Sequence, residues 1–201
     1  MNRILIYYPK NFKVEGFFVD KVSTLISGLE DCEIVVLNDY NGFVISNFSI
    51  KYSVKNITED HNYKYNVNKE LKTITHAIVF WDGRGIEWLV YSLFLMKISN
   101  RIIAVEVTEV ANKDVGDKYD VYIGRGTPWG NPFPIGEDGM SREDVINKYR
   151  LYFEKEILTD PIKRKNILSL KGKILGCHCK PLPCHGDVIA EYLNTFKGDD
   201  D

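Results

Sequence analysis

Short apolar runs alternate with stretches of helical periodicity through the first half of the chain. Residues 3–8 run on from Arg3 as Ile4-Leu5-Ile6-Tyr7-Tyr8 and stop at Pro9. An unbroken apolar run of this length predicts a strand buried on both faces. From 14 to 29 the apolar positions Phe18, Val22, Leu25, Ile26 and Leu29 recur at helical spacing, with Gly28 near the end. Residues 33–37 and 76–81 are two more apolar runs, 86–98 reads as a strongly apolar helix, and 101–107 as a fourth strand. Between them, 42–53 alternates enough for strands, and the Asn- and Lys-rich stretch at 60–70 reads as loop or short helix. Strand, helix, strand, strand, helix, strand predicts a parallel sheet with crossover helices, hence an α/β fold.

The composition turns polar over 110–118, which places a boundary there: a first domain over 1–110 and a second, small α/β domain over 111–201. In the second, 119–123 suggests a short strand and 124–136, rich in Gly and Pro, an ordered loop. Ser141 caps a helix that runs to about 158, with Asp144 as its capping-box partner. Pro161 starts a short helix, and 173–176 is a strand that delivers a cysteine-rich loop. A final helix over 184–196 turns Val188, Ile189, Tyr192 and Leu193 inward. The charged tail from Lys197 to Asp201 is expected to fray.

Composition narrows the class. A net charge of −2 leaves no electrostatic footprint for tight, sequence-blind DNA binding. The basic residues Lys163, Arg164, Lys165, Lys171, Lys173 and Lys180 read as a solvated helix end. Four cysteines, with Cys32 far from the others, do not make the disulfide framework of a small secreted domain. The apolar run after Arg3 is too short for a signal peptide, and the run from 88 to 96 is half a membrane span. These features predict a soluble cytoplasmic protein with reduced thiols and no membrane partner. Nothing in them points to a particular oligomeric state.

Chemistry concentrates in Cys177-His178-Cys179-Lys180-Pro181-Leu182-Pro183-Cys184-His185-Gly186-Asp187. Three of the four cysteines and two of the four histidines fall in these eleven residues. Such residues bind soft metals, form thiolate nucleophiles and shuttle protons. A thiol at position 184 would sit at the positive end of the last helix, which favours its thiolate. Cys184 is therefore the expected nucleophile and the most reactive thiol, with His185 and Asp187 beside it. Metal binding competes, because Cys177, Cys179, Cys184 and His185 total four soft ligands. Against it, structural zinc pairs usually follow C-x2-4-C, and adjacent residues on a helix diverge by about 100°. A third reading packs Cys177 and Cys179 as small core residues. The expectation is no metal and no cofactor.

A second constellation lies in the first half. Trp81-Asp82-Gly83-Arg84-Gly85 leaves a buried strand and enters a helix, where a ligand's anionic group could meet unpaired N–H groups. A plain strand–helix connection is the alternative. The segment HAIVFWDGRGIEWLV, residues 76–90, resembles the SLOG superfamily, most closely its YspA-like branch. The resemblance extends loosely over 1–108. It implies a Rossmann-like fold that binds nucleotides or nucleotide-derived ligands, with Asp82, Gly83 and Gly85 at the ligand. The chain departs from that family at the first turn, where Tyr7-Tyr8-Pro9-Lys10 replaces a glycine-rich turn.

In the second half, Arg125-Gly126-Thr127-Pro128-Trp129-Gly130-Asn131-Pro132-Phe133 precedes Cys177-His178-Cys179 and Pro183-Cys184-His185-Gly186-Asp187. Over 119–195 this order resembles the domain-of-unknown-function family 4326, with its R-x-x-x-W-G-N-P-F and C-x-C…P-C-H-x-D motifs. The resemblance implies that both segments share one site. Arg125 suits a phosphate or carboxylate, Asn131 adds a polar contact, and Trp129 either stacks on a base or packs. The functional expectation is binding, and in one reading conversion, of a nucleotide-, nucleoside- or nucleotide-sugar-like small molecule. Cys184, His185 and Asp187 would react; Arg125, Trp129, Asn131, Cys177 and Cys179 would hold the ligand. The alternatives are a non-catalytic sensor or sponge for a signalling nucleotide, or a zinc-stabilised module for nucleic acid.

Overall fold

The computed structural model describes residues 1–29, 31–136 and 139–196. The charged tail at 197–201 lies outside them. The chain divides into two compact units, Met1–Val105 and Glu106–Asp201.

The N-terminal unit alternates strands and helices as β1 (Asn2–Tyr7), α1 (Glu15–Ile26), β2 (Cys32–Leu37), α2 (Phe43–Phe48), β3 (Ser53–Ile57), α3 (Tyr63–Leu71), β4 (His76–Trp81), α4 (Glu87–Leu95) and β5 (Ser99–Ala104). The five strands are all parallel in the order β3-β2-β1-β4-β5. The chain therefore winds outward one way from β1, then returns to add β4 and β5 on its other side. This is the Rossmann-like α/β sheet expected from the apolar runs. Side chains alternate across it. Leu5, Val35, Leu37, Ala77 and Val79 pack under Val67 and Leu71 of α3 and Leu89 and Leu93 of α4. On the α1 side, Phe18 lies against Phe80 (ring centroids 4.9 Å) and Tyr8 stacks on Phe43 (5.3 Å). At about 25 cal/mol per Å² of apolar surface, such burial dominates the unit's stability.

One stretch departs from its alternation. Residues 43–48, within the segment read as strands, form α2, because the Asp39 carboxylate accepts from the Val44 and Ile45 N–H groups at 3.1 and 2.9 Å. Gly42 enters that helix at φ +73. The strand follows only at 53–57.

The C-terminal unit contains β6 (Glu109–Asn112), β7 (Val121–Tyr122), α5 (Arg142–Tyr152), α6 (Pro161–Leu168), β8 (Ile174–Cys177) and α7 (His185–Thr195). Its small parallel sheet has the order β6-β8-β7, with β8 central. The Ser141–Asp144 capping box forms as expected, and α5 runs on as a π-helical turn over Phe153–Ile157 that buries both end residues. Thr108, just before β6, is fully buried and exchanges two hydrogen bonds with the Asn194 side chain of α7, at 2.7 and 2.9 Å. Among the described residues, no helix is long and apolar enough to cross a membrane.

Candidate functional site

In the N-terminal unit the turn 81–85 stands at the carboxyl end of β4, beside β1, where the strand order reverses. Open parallel sheets bind ligands at such a switch point. Gly83 and Gly85 adopt φ +86 and +77, the left-handed region that favours glycine. The polar groups of the turn face one another. The Asp82 carboxylate accepts from the Arg84 backbone N–H at 3.3 Å and from its guanidinium at 3.0 and 2.8 Å. Trp81 Nε1–H donates to the Arg84 carbonyl, and Gly85 N–H to Glu87. At the first turn, Tyr8 is fully buried and donates to Asp39 at 2.5 Å. Burial, then the hydrogen bond to Asp39, pushes the Tyr8 hydroxyl well above its usual range.

The C-terminal unit gathers its groups differently. Tyr122 of β7 pairs in register with Gly176 of β8. The segments leaving these strands, Ile123-Gly124-Arg125 and Cys177-His178-Cys179, therefore start side by side. Gly130 locks the first of them. A Cβ there would lie 2.7 Å from the Gly124 carbonyl oxygen and 3.1 Å from the Arg125 Cα. Thr127 and Gly130 also close turns on the Gly124 and Thr127 carbonyls. The result is a cavity of about 310 Å³ walled by Arg125, Asn131, Cys177, His178, Cys179 and His185, with Tyr122, Phe133 and Ile135.

Five of the expected site residues thus share one cavity: Arg125, Asn131, Cys177, Cys179 and His185. Three others expected in this unit do not line it. Cys184 is buried directly behind Cys177 as the residue that caps α7. Asp187 accepts from the Cys184 N–H at 2.8 Å and pairs with Lys180, so it closes the helix end. Trp129 packs against the core, its carbonyl accepting from Tyr149 Oη, while its indole N–H is buried without a partner.

Within the centre, His185 Nε2 lies 2.8 Å from the Ile123 carbonyl. A carbonyl only accepts, so Nε2 carries the proton and Nδ1 remains for the sulfurs. The Cys177 thiol is held far below the usual thiol range, chiefly by the hydrogen bond from Cys184, then by His185 and the Cys179 N–H, against the opposing effect of burial. Cys184 is pushed far up by the same hydrogen bond, by burial, and by the negative charges of Cys177 and Asp187. At the helix end, the Cys177 hydrogen bond and burial thus oppose the helix dipole at Cys184, the expected nucleophile. Burial pushes Cys179 up. The sulfurs of Cys177 and Cys184 and a ring nitrogen of His185 all lie within 4.8 Å of one another.

Sequence reasoning gave no role to a second chain of groups at the cavity edge. His178 Nδ1 donates to Asp114 at 2.7 Å, and its Nε2 stands 2.9 Å from the Tyr122 hydroxyl. The His178 hydrogen bond, and then Lys113, hold the Asp114 carboxyl below its ordinary value. His178 stood inside the cysteine motif, but Asp114 lies in a polar stretch with no local signature.

Residues 108–195 match the family model described as a domain of unknown function, DUF4326. The uncharacterized 12.4 kDa protein of the nrdA-td intergenic region of Enterobacteria phage T4 is 44% identical over 91 residues, which is 45% of this chain and 82% of that protein. No solved structure matches. Residues 1–111, more than half of the chain, match the family model of the minimal SLOG domain. Both resemblances read from the motifs hold, and the chain belongs to the minimal SLOG family, with a DUF4326 domain as its second part.

Proposed function

We propose that this protein binds a nucleotide-, nucleoside- or nucleotide-sugar-like molecule and converts it in the cavity of the C-terminal unit. The observation that carries the reading is the convergence of Arg125 and Asn131 with Cys177 and His185 around one space. Exposed Arg125 supplies a fixed positive charge for a phosphate or carboxylate. The sulfur–imidazole centre supplies the reactive groups. A volume of about 310 Å³ is at the lower end for ligand sites. It suits one ring-bearing end of such a molecule, with the anionic end toward Arg125. SLOG membership supports a nucleotide-related ligand in general terms. Asp82, Gly83 and Gly85 keep their proposed role at the switch point of the N-terminal sheet.

A panel of nucleotides and nucleotide sugars, read by thermal shift, tests binding. A ligand at a hundred times its Kd stabilises by roughly 2.7 kcal/mol, and Arg125→Ala should erase that shift. Mass spectrometry of the ligand recovered after denaturation tests conversion. Intact return would leave a sponge in place of an enzyme. A panel without any shift sinks the nucleotide reading.

A further inference from the structure

We propose that Cys177, Cys184 and His185 form a binding site for a zinc-class divalent cation, with its fourth coordination position open to the cavity. The donors are two sulfurs and one imidazole nitrogen, within 4.8 Å of one another. Zinc bonds of about 2.3 Å to sulfur and 2.0–2.1 Å to nitrogen place tetrahedral donors roughly 3.4–3.8 Å apart. A contraction of about an ångström completes that shell.

The local backbone removes the objection raised by the sequence. Neighbours inside a helix diverge by about 100°, which would send Cys184 and His185 apart. Cys184, however, precedes the helix in extended backbone, at φ −151 and ψ 173, and only His185 is helical. Their donor atoms therefore converge on Cys177 at the end of β8. The C-x-C pair splits: Cys177 joins the triplet, while Cys179 stays outside it on the cavity wall.

Three further observations fit a cation. His185 Nε2–H is fixed by the Ile123 carbonyl, the outer partner that orients metal-bound histidines and leaves the other nitrogen for the ion. Cys177, Cys184 and His185 are 2, 3 and 7% exposed, and two thiolates in such surroundings balance a dication. Cys177 and His185 also line the cavity, so a fourth ligand can enter from that side. Three protein ligands with one open position are the pattern of catalytic rather than structural zinc. The use of the ion rests on the cavity being the reactive pocket proposed above; its presence does not.

The test uses the full chain, stripped with chelator, then equilibrated with Zn²⁺ or Co²⁺ and no nucleotide. Elemental analysis should find one ion per chain. Cobalt should give thiolate-to-metal charge transfer in the near-ultraviolet and the strong visible bands of tetrahedral coordination, both bleached by zinc. Cys184→Ser and His185→Ala should weaken binding by more than the roughly 10–100-fold typical of losing an outer-shell partner. Cys179→Ser should retain the ion. Absence of stoichiometric metal and of cobalt–thiolate bands in the wild type overturns the site, whether or not the variants fold. Loss of metal in Cys179→Ser overturns the open fourth position. Nucleotide shifts from a protein that takes up no metal would sink this inference and spare the proposed function; stoichiometric metal without nucleotide shifts would do the reverse.

Discussion

In the N-terminal unit, polar groups near the sheet answer one another: Asp82 meets Arg84, Asp39 meets Tyr8 and the start of α2, and Glu70 meets Arg3 and Lys55. In the C-terminal unit, two sulfurs and an imidazole converge where a cavity opens. Saturated polar networks hold a fold in place, whereas Arg125, Asn131, Cys177 and His185 front an open space. The glycines follow the same division. Gly83 and Gly85 serve backbone angle, since a Cβ at either position would meet nothing within 4 Å, and Gly130 serves close approach.

The sharpest test of that contrast is Gly130→Ala. Its Cβ would meet a backbone carbonyl oxygen at 2.7 Å, and a backbone cannot rotate away. Overpacking of this kind costs about 1–3 kcal/mol and sometimes more. Denaturant unfolding should show the loss, together with weaker ligand shifts as Arg125 is displaced. Gly83→Ala should cost less, about 1–2 kcal/mol for a left-handed alanine, and leave thiol labelling of the second unit unchanged. A larger loss at Gly83 than at Gly130 would break the comparison.

Iodoacetamide sharpens it at the next level. In metal-free protein, Cys177 should be labelled before Cys184, because Cys177 lines the cavity and Cys184 lies behind it. Cys32 should be slow, since burial pushes its thiol up. Zinc should protect Cys177. Peptide mass spectrometry over time reads the order, and Cys184 reacting first would restore the helix-end nucleophile.

The smallest effect is the acid limb of the N-terminal unit. The Lys55 hydrogen bond, then that of Arg3, lowers Glu70 below the ordinary 4.5, against burial. A lowered folded-state value means that its stabilisation is present above the unfolded-state pKa. It is lost as pH falls through the folded value. Arg3→Gln should flatten stability against pH below about 4.5 and cost about 1 kcal/mol at neutrality. An unchanged acid limb would show that the network contributes nothing there.

The parallel sheet was legible because strands buried on both faces leave unbroken apolar runs such as Ile4-Leu5-Ile6. Two of the edge strands leave no such trace. Glu109–Asn112 forms β6 across the start of the stretch that read as a polar boundary, and β3 carries Lys55 and Asn56. The place of the candidate cavity was legible because its cysteines cluster in sequence, and Arg125 and Asn131 reach it because β7 and β8 are neighbours. The roles within it were less so. Whether Cys184 lies in the last helix or before it is a matter of one residue's backbone, and that backbone decides where its sulfur points. The Asp114–His178–Tyr122 chain spans separations of 64 and 56 residues, beyond any local pattern.

The Asn194 carboxamide has a consequence for how the second unit can travel. It clasps Thr108 across 86 residues, satisfying a buried backbone N–H and C=O as a neighbouring strand would. The head and tail of the unit are thereby tied by its own side chain. Closing so long a segment is entropically cheap per residue added, and ends that meet can be spliced into a host without pulling the interior apart. In structural terms the unit is a cassette, and Asn194 is its latch.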